Sequence, residues 1–211
     1  QLKIQNPRLW EGRTNPYLYR VKVQIYLGNT LVDEVTQPLG LRSFSVDSEK
    51  GFFLNGNHLA LKGVSRHQDK KDKGSALSEE DHRTDMQLIA EMGTNALRLA
   101  HYQQSGFFYS LCDTTGMVVW AEIPFVGSLV GGYTNSPEFD ANAKQQLTEL
   151  IRQNYNHPSI CFWGVFNELS NPEKDSPTRL VKELVALSKS EDPTRLVTAA
   201  SLLPDANELN F

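Results

Sequence analysis

The sequence predicts an α/β protein in which a parallel sheet wrapped by helices follows a short run of antiparallel strands. Three observations carry this. From Gly51 onward candidate strands and amphipathic helices alternate five times, the rhythm of parallel strands joined by right-handed crossovers. Within that part, Ile160 to Phe166 is a run of seven uncharged, largely apolar residues between turn formers, which reads as a strand buried on both faces. Before Gly51, Val21, Val23 and Ile25 alternate with Arg20, Lys22 and Gln24, the period of a strand with one solvated face. Periodicity alone leaves open whether the parallel sheet is an open doubly wound one or part of an eight-stranded barrel.

The elements come in this order. After Leu9-Trp10 and a turn at Asn15-Pro16, the alternating strand runs to Leu27, and Gly28-Asn29 supplies a hairpin turn. Leu31 to Val35 and Leu41 to Val46 add short strands at the spacing of an antiparallel sandwich. Phe52-Phe53-Leu54 and the turn Asn55-Gly56-Asn57 lead into His58 to Ser65, the first candidate strand of the new unit. Ser78, with Glu79, Glu80 and Asp81 after it, has the form of a helix cap with acidic residues in the first turn, and Gly93 ends that helix. Asn95 to Ala100 reads as a strand, Ser105 to Thr115 as a helix stopped by Gly116, and Met117 to Ala121 as the next strand. Ser136-Pro137 opens a helix whose face carries Leu147, Leu150, Ile151 and Tyr155. Ser176-Pro177 repeats that start, Leu180, Val181, Leu184 and Leu187 form its stripe, and Arg195 to Ala199 is the fifth strand.

Composition narrows the function. With 39% hydrophobic and 22% charged residues the chain is an ordinary globular polypeptide. The net charge of -4 is spread without a basic block, which gives no reason to expect a nucleic-acid partner. No apolar run approaches the roughly 20 residues that span a bilayer, so no membrane partner is expected. The chain begins at Gln1 rather than Met, and whether it is exported stays open. Cys112 and Cys161 form neither a disulfide framework nor a metal spacing and read as buried small apolar side chains. Lys62-Gly63-Val64-Ser65-Arg66-His67 lacks the glycine spacing of a phosphate loop.

The central run ends in an amide and a carboxylate, Asn167 and Glu168. A carboxylate on a rigid element where a buried strand meets its loop is partly desolvated and suited to give or take a proton. The alternative is a Glu that caps the next turn or pairs with an Arg. Arg66-His67-Gln68-Asp69 comes after the first strand, Arg98 and His101 end the second, and Glu122 ends the third. Polar residues at the carboxyl ends of four successive strands are what the mouth of a barrel enzyme requires.

Two blocks carry a resemblance. His157-Pro-Ser-Ile-x-x-Trp163-x-x-x-Asn167-Glu168 resembles the acid/base signature of glycoside hydrolase family 2, the family of β-galactosidases, β-glucuronidases and β-mannosidases. Gly93-Thr-Asn95-Ala-Leu-Arg98-Leu-Ala-His101-Tyr102, with Phe108-Tyr-x-Leu-Cys-Asp113-x-x-Gly116 after it, resembles the other signature of that family. The likeness runs from Leu9 to about Thr198. It implies the first five strands of a (β/α)8 TIM barrel, residues 49–211, preceded by the last strands of an immunoglobulin-like β-sandwich, residues 1–48, with the boundary near Asp47 to Gly51.

The resemblance also implies roles. Glu168 matches the general acid/base of a retaining mechanism and Asn167 the residue that binds the sugar 2-hydroxyl. His101 matches a sugar-binding His, and His67 and Asp69 lie on the loop near the sugar. Arg98 either binds substrate or holds the carboxylates of the mouth. Glu122 reads as a carboxylate that lines the site and orients its neighbours, or as the partner of an Arg inside the barrel. Trp120 and Trp163 read as core. The nucleophile Glu of the family falls beyond Phe211, so the chain reads as a fragment, inactive alone. Family galactosidases that bind magnesium use a Glu and a His just past Glu122, where this chain has Pro124-Phe125-Val126-Gly127; no metal and no cofactor are expected. Because Arg98-Leu-Ala-His101-Tyr102 reads nearest to the β-galactosidases, a β-galactosidase acting on a carbohydrate substrate, as a homo-oligomer when complete, is the first expectation. β-Glucuronidase or β-mannosidase, or a non-catalytic carbohydrate-binding module, are the alternatives.

Overall fold

The computed structural model describes residues 3–127, 133, 136–169 and 177–201, and in it the chain builds three sheets. Strands β1 (Tyr19–Leu27) and β2 (Thr30–Leu39) form an antiparallel hairpin turned at Gly28, where φ is +62°. Strands β3 (Phe44–Asp47), β4 (Gly51–Leu54) and β5 (Asn57–His58) form a small antiparallel sheet. The expected boundary near Asp47 to Gly51 therefore falls in the turn of the β3–β4 hairpin, and β3 on one side of it pairs with β4 on the other.

The remainder alternates: β6 (Gly63–Arg66), α1 (Glu79–Glu91), β7 (Ala96–Leu99), α2 (Gly106–Thr115), β8 (Val118–Glu122), α3 (Pro137–Asn154), β9 (Ile160–Asn167), α4 (Thr178–Glu191) and β10 (Leu196–Ala200). All five strands are parallel and lie side by side in chain order. An open doubly wound sheet reverses its strand order partway. A closing barrel does not.

The helix starts are set by their caps. Ser78 and Asp81 make a reciprocal capping box at α1. Ser136 accepts a hydrogen bond from the Phe139 amide with Pro137 in the first turn of α3. At α4 the cap falls on Pro177 itself, one residue later than the Ser176-Pro177 pattern suggests, and Ser176 lies outside the described residues. The first barrel strand also differs. His58 pairs with Phe53 in the small sheet, and the parallel strand begins only at Gly63.

Two apolar layers hold the sheet. Outward-facing Leu97, Leu99, Val119, Trp163 and Val165 pack under Met86, Phe108, Leu147, Leu150, Leu180 and Leu184 of the four helices in one continuous core. Below the sheet, Trp10, Phe52 and Leu54 of the preceding segments pack on Ala96, Val118 and Cys161 at the amino-terminal ends of the strands. Trp10 has no exposed surface and donates its indole N–H to the Asp113 carbonyl at 2.8 Å. Cys112 and Cys161 are free and buried, as expected; burial lifts the Cys161 thiol to about 11.

The hairpin departs from expectation. Of the alternating apolar residues Val21 is half-buried, but Val23 and Ile25 are 53% and 55% exposed, and Val35, paired with Val23, is 48% exposed. Among the described residues no second layer covers them, and β6 and β10 each pair on one side only. Open strand edges and bare apolar faces recruit other chains. The 211-residue polypeptide on its own is therefore expected to self-associate in sedimentation velocity runs over a range of concentrations; a single monomeric species with a sharp, concentration-independent unfolding transition contradicts this.

Candidate active site

The carboxyl ends of β7, β8 and β9 bring four polar side chains into one network. Glu122, the last residue of β8, has no exposed surface. Arg98 meets it with two donors, Nε to Oε2 at 3.0 Å and Nη2 to Oε1 at 2.9 Å. His101 Nδ1 lies 2.6 Å from Oε1. Arg98 Nη2 also donates to Asn167 Oδ1 at 2.6 Å, so a single guanidinium ties β8 to β9. The Arg98 charge further sits over the face of Trp120, 4.6 Å from the ring centroid.

Close approach across the strands depends on a residue without a side chain. Opposite Glu122 in the ladder is Gly164. A Cβ there would lie 2.3 Å from Trp120 Nε1 and 2.4 Å from Glu122 Cβ. Nothing larger than Gly fits. A second glycine shapes the rim, since a Cβ on Gly127 would stand 1.9 Å from the Glu168 carbonyl oxygen.

Asn167 reaches the network through an irregularity. Trp163 and Val165 face the helices, and strict alternation would send residue 167 the same way. Between the pairs Thr198–Gly164 and Ala200–Asn167 the register slips, giving β9 one residue more than β10. Such a bulge re-aims the side chain just beyond it. The loop after β8 then fixes the strand end: the Asn167 amide donates to the Phe125 carbonyl and the Gly127 amide to the Asn167 carbonyl, each at 2.8 Å.

Glu168 comes next, with φ of +51°. A left-handed non-glycine residue costs about 1–3 kcal/mol and persists only where its surroundings impose it. Here they include a 2.6 Å hydrogen bond from its amide to the Ala200 carbonyl. Its side chain is exposed, which corrects the expectation of partial desolvation: the turn after β9 carries it off the sheet, and no neighbouring strand end among the described residues covers it.

The other expected residues divide. His67 is exposed, with its ring 5.0 Å from that of His101 and nearly perpendicular to it. Asp69 is exposed on the same loop and takes no part in the network among the described residues. Arg66, from the same run, turns the other way. It is buried against the helices, bonded to Asp85 and Gln104 and set 3.8 Å from the Phe108 ring centroid. Trp163 is core as expected, with its indole N–H on Asp192 Oδ2 at 2.9 Å. Trp120 instead faces the lumen, where with Ser65, Arg98 and Phe162 it lines a cavity of about 260 Å³.

The first half of the acid/base motif lies at the opposite end of β9. His157 Nδ1 lies 2.6 Å from Asp113 Oδ2, and the Ser159 amide and hydroxyl both donate to Asp113 Oδ1. Arg195 donates to the carbonyls of Tyr155, His157 and Ile160 and to Asp192. Burial alone would push the Asp192 acid up, but hydrogen bonds from Thr194, Arg195 and Trp163 outweigh it and hold the acid below its usual range. Arg42 adds bonds to the Pro158 and Ile160 carbonyls from outside the barrel. Asp113, which the second signature contains, is a buried hub, as are Asp192 and Arg195, which have no signal in a single sequence beyond their type. Among the described residues no three His, Cys, Asp or Glu side chains are placed to share a metal ion.

The model of the glycosyl hydrolases family 2 TIM barrel domain matches residues 45–209, and a second model, glycosyl hydrolases family 2, matches residues 1–42. The chain belongs to glycosyl hydrolase family 2. Its five parallel strands are accordingly the opening strands of that family's barrel. It is 55% identical to a β-glucuronidase of Bacteroides fragilis over all of this chain and 30% of that protein. It is 28% identical to the β-galactosidase BoGH2A of Bacteroides ovatus, again over the whole chain and 28% of the relative. The crystal structure of a Bacteroides uniformis β-glucuronidase superposes with a TM-score of 0.88 at 36% identity, covering 98% of this chain and 26% of that one. The chain thus spans about a third or less of the length of these relatives.

The network makes a stability prediction for the complete protein. Arg98→Ala strands the buried Glu122 charge without its cation and should cost about 3–5 kcal/mol. Glu168→Ala removes no side-chain hydrogen bond or ion pair among the described residues and should stay within about 0.5 kcal/mol of the parent. Chemical denaturation of both variants checks this, and an Arg98→Ala protein as stable as the parent contradicts it.

Proposed function

We propose that the chain is part of a retaining exo-β-glycosidase that removes terminal β-linked glucuronic acid, with Glu168 as general acid/base. The observation that carries the substrate class is the 55% identity, over the whole chain, to a protein named β-glucuronidase. The β-galactosidase expectation rested on a few residues around His101, and the β-galactosidase relative stands at 28%. The glucuronidase alternative therefore replaces it as the working reading.

In this reading Glu168 protonates the departing glycosidic oxygen while a second carboxylate, from a later part of the complete protein, attacks the anomeric carbon from about 5 Å. Glu168 then takes a proton from the water that releases the sugar, and the anomeric configuration is retained. The place of Glu168 directly after β9, next to Asn167 and the Arg98–Glu122 network, supports this role. Asn167 and His101 bind sugar hydroxyls, and His67 and Asp69 border the same mouth. Residues 1–48 as the end of a sandwich and 49–211 as the start of the barrel belong to the same proposal.

The test is kinetic and uses the complete protein. It should hydrolyse nitrophenyl β-glucuronide much faster than the matching galactoside. Glu168→Ala should slow an alkyl glucuronide by roughly 10²–10⁴, the usual worth of general acid catalysis, and spare the first step for the nitrophenyl substrate, whose leaving group departs unprotonated. Azide, which needs no base, should restore turnover and give a β-glycosyl azide. Equal impairment on both leaving groups without azide rescue rejects Glu168 as the acid/base. The 211 residues alone should hydrolyse neither substrate.

A further inference from the structure

Glu122 has no exposed surface and three donors on its carboxylate. Both oxygens are engaged and neither is exposed, so a ligand in the mouth has no room to reach the carboxylate. We propose that Glu122 is a positioning residue that never touches the sugar and sets the hydrogen-bond polarity of the two side chains that do. It holds His101 with its proton on Nδ1, and through Arg98 it holds Asn167 with the carboxamide NH2 free. This rests on the proposed function, in which the mouth takes a sugar, and it adds which atoms face that sugar.

Donors and acceptors decide the matter. A carboxylate paired with a guanidinium offers acceptors only. The ring nitrogen 2.6 Å from it must then carry hydrogen, so His101 Nδ1 is the donor. That resolves the adjacent 3.2 Å approach of Arg98 Nη2 to the same nitrogen, which is a contact between two donors and no hydrogen bond. Arg98 already balances the Glu122 charge, and its cation 3.2 Å from Nδ1 opposes a second positive charge on the ring. A neutral ring with its proton on Nδ1 leaves Nε2 as an acceptor, on a side chain that keeps 24% of its surface exposed. Asn167 is oriented through Arg98. A guanidinium only donates, so the atom 2.6 Å from Nη2 is the oxygen, and the NH2 is turned away. That NH2 makes no hydrogen bond to the described residues, yet it is absent from the buried atoms left without a partner.

The mouth therefore presents one acceptor, His101 Nε2, beside one donor, Asn167 Nδ2. A hydroxyl both gives and accepts a hydrogen bond, so neutral sugar hydroxyls satisfy the pair. A carboxylate does not, because it meets the His101 lone pair with lone pairs of its own. These two residues therefore do not read the acid group of a glucuronide; they read hydroxyls that many hexosides share.

The test uses the complete protein labelled with 15N-histidine, with long-range 1H–15N spectra at neutral pH and the His101 signals assigned by their loss in His101→Asn. The expected result is a proton on Nδ1 and none on Nε2. A proton on Nε2, in the other tautomer or in a doubly protonated ring, overturns the proposal. A kinetic cycle reads the same claim through turnover. Glu122→Gln should lower kcat/KM on the order of 100-fold in the parent, the scale for removing the partner of a positioned group. In the His101→Ala/Asn167→Ala background the same change should cost no more than about 3-fold, because the groups it acts through are gone. A full additive loss there overturns the positioning role. A parent enzyme inactive on every β-glycoside defeats the functional reading instead, and the His101 spectrum still decides this one.

Discussion

Burying a carboxylate costs several kcal/mol unless hydrogen bonds and an opposite charge replace the lost water, and Glu122 is buried entirely. Much of the mouth is shaped by meeting that cost. Arg98 must lie within reach on the neighbouring strand, His101 must turn its Nδ1 inward, and Gly164 must leave room opposite. Having met Glu122, Arg98 keeps the second hydrogen of Nη2 for Asn167, which is aligned by it. Specificity of geometry thus comes from a charge pair that contributes little net stability and much order, because its directions are fixed by hydrogen bonds on both sides.

The opposite end of the barrel makes such order possible. The strands are only four to eight residues long, and short strands hold their upper ends no better than their lower ends are anchored. Trp10, Arg42 and the Asp113 and Asp192 hubs provide that anchorage. Strand β9 joins the two ends: His157 and Ser159 lock its start, and Asn167 and Glu168 leave its finish. One motif therefore contains a structural half and a half at the mouth.

Much of this was legible in the sequence because it depended on local pattern. Caps at Ser78 and Ser136, the stop at Gly116 and the apolar run of β9 each have a short-range physical cause. Other features were hidden because their cause is nonlocal. Arg66 lies at a strand end just as Arg98 does, yet it faces the helices, since the side of a sheet a residue takes depends on register. The bulge that brings Asn167 round leaves no mark in the residues themselves. Trp120 read as core because size and apolar flanks look the same on either face, although its face carries the Arg98 cation in the lumen. The partner of β1 and β2 was expected from alternation, but alternation says only which side is apolar and not what covers it.

The Glu122 charge organises Arg98, His101 and Asn167, and a crystal structure of the complete Glu122→Gln protein tests this most directly. Loss of the charge should release the Arg98 side chain from its two-donor arrangement and let the Asn167 carboxamide turn, with the backbones of β7, β8 and β9 unmoved. Arg98 and Asn167 found in their parent positions, their mutual hydrogen bond intact, would contradict that organising role.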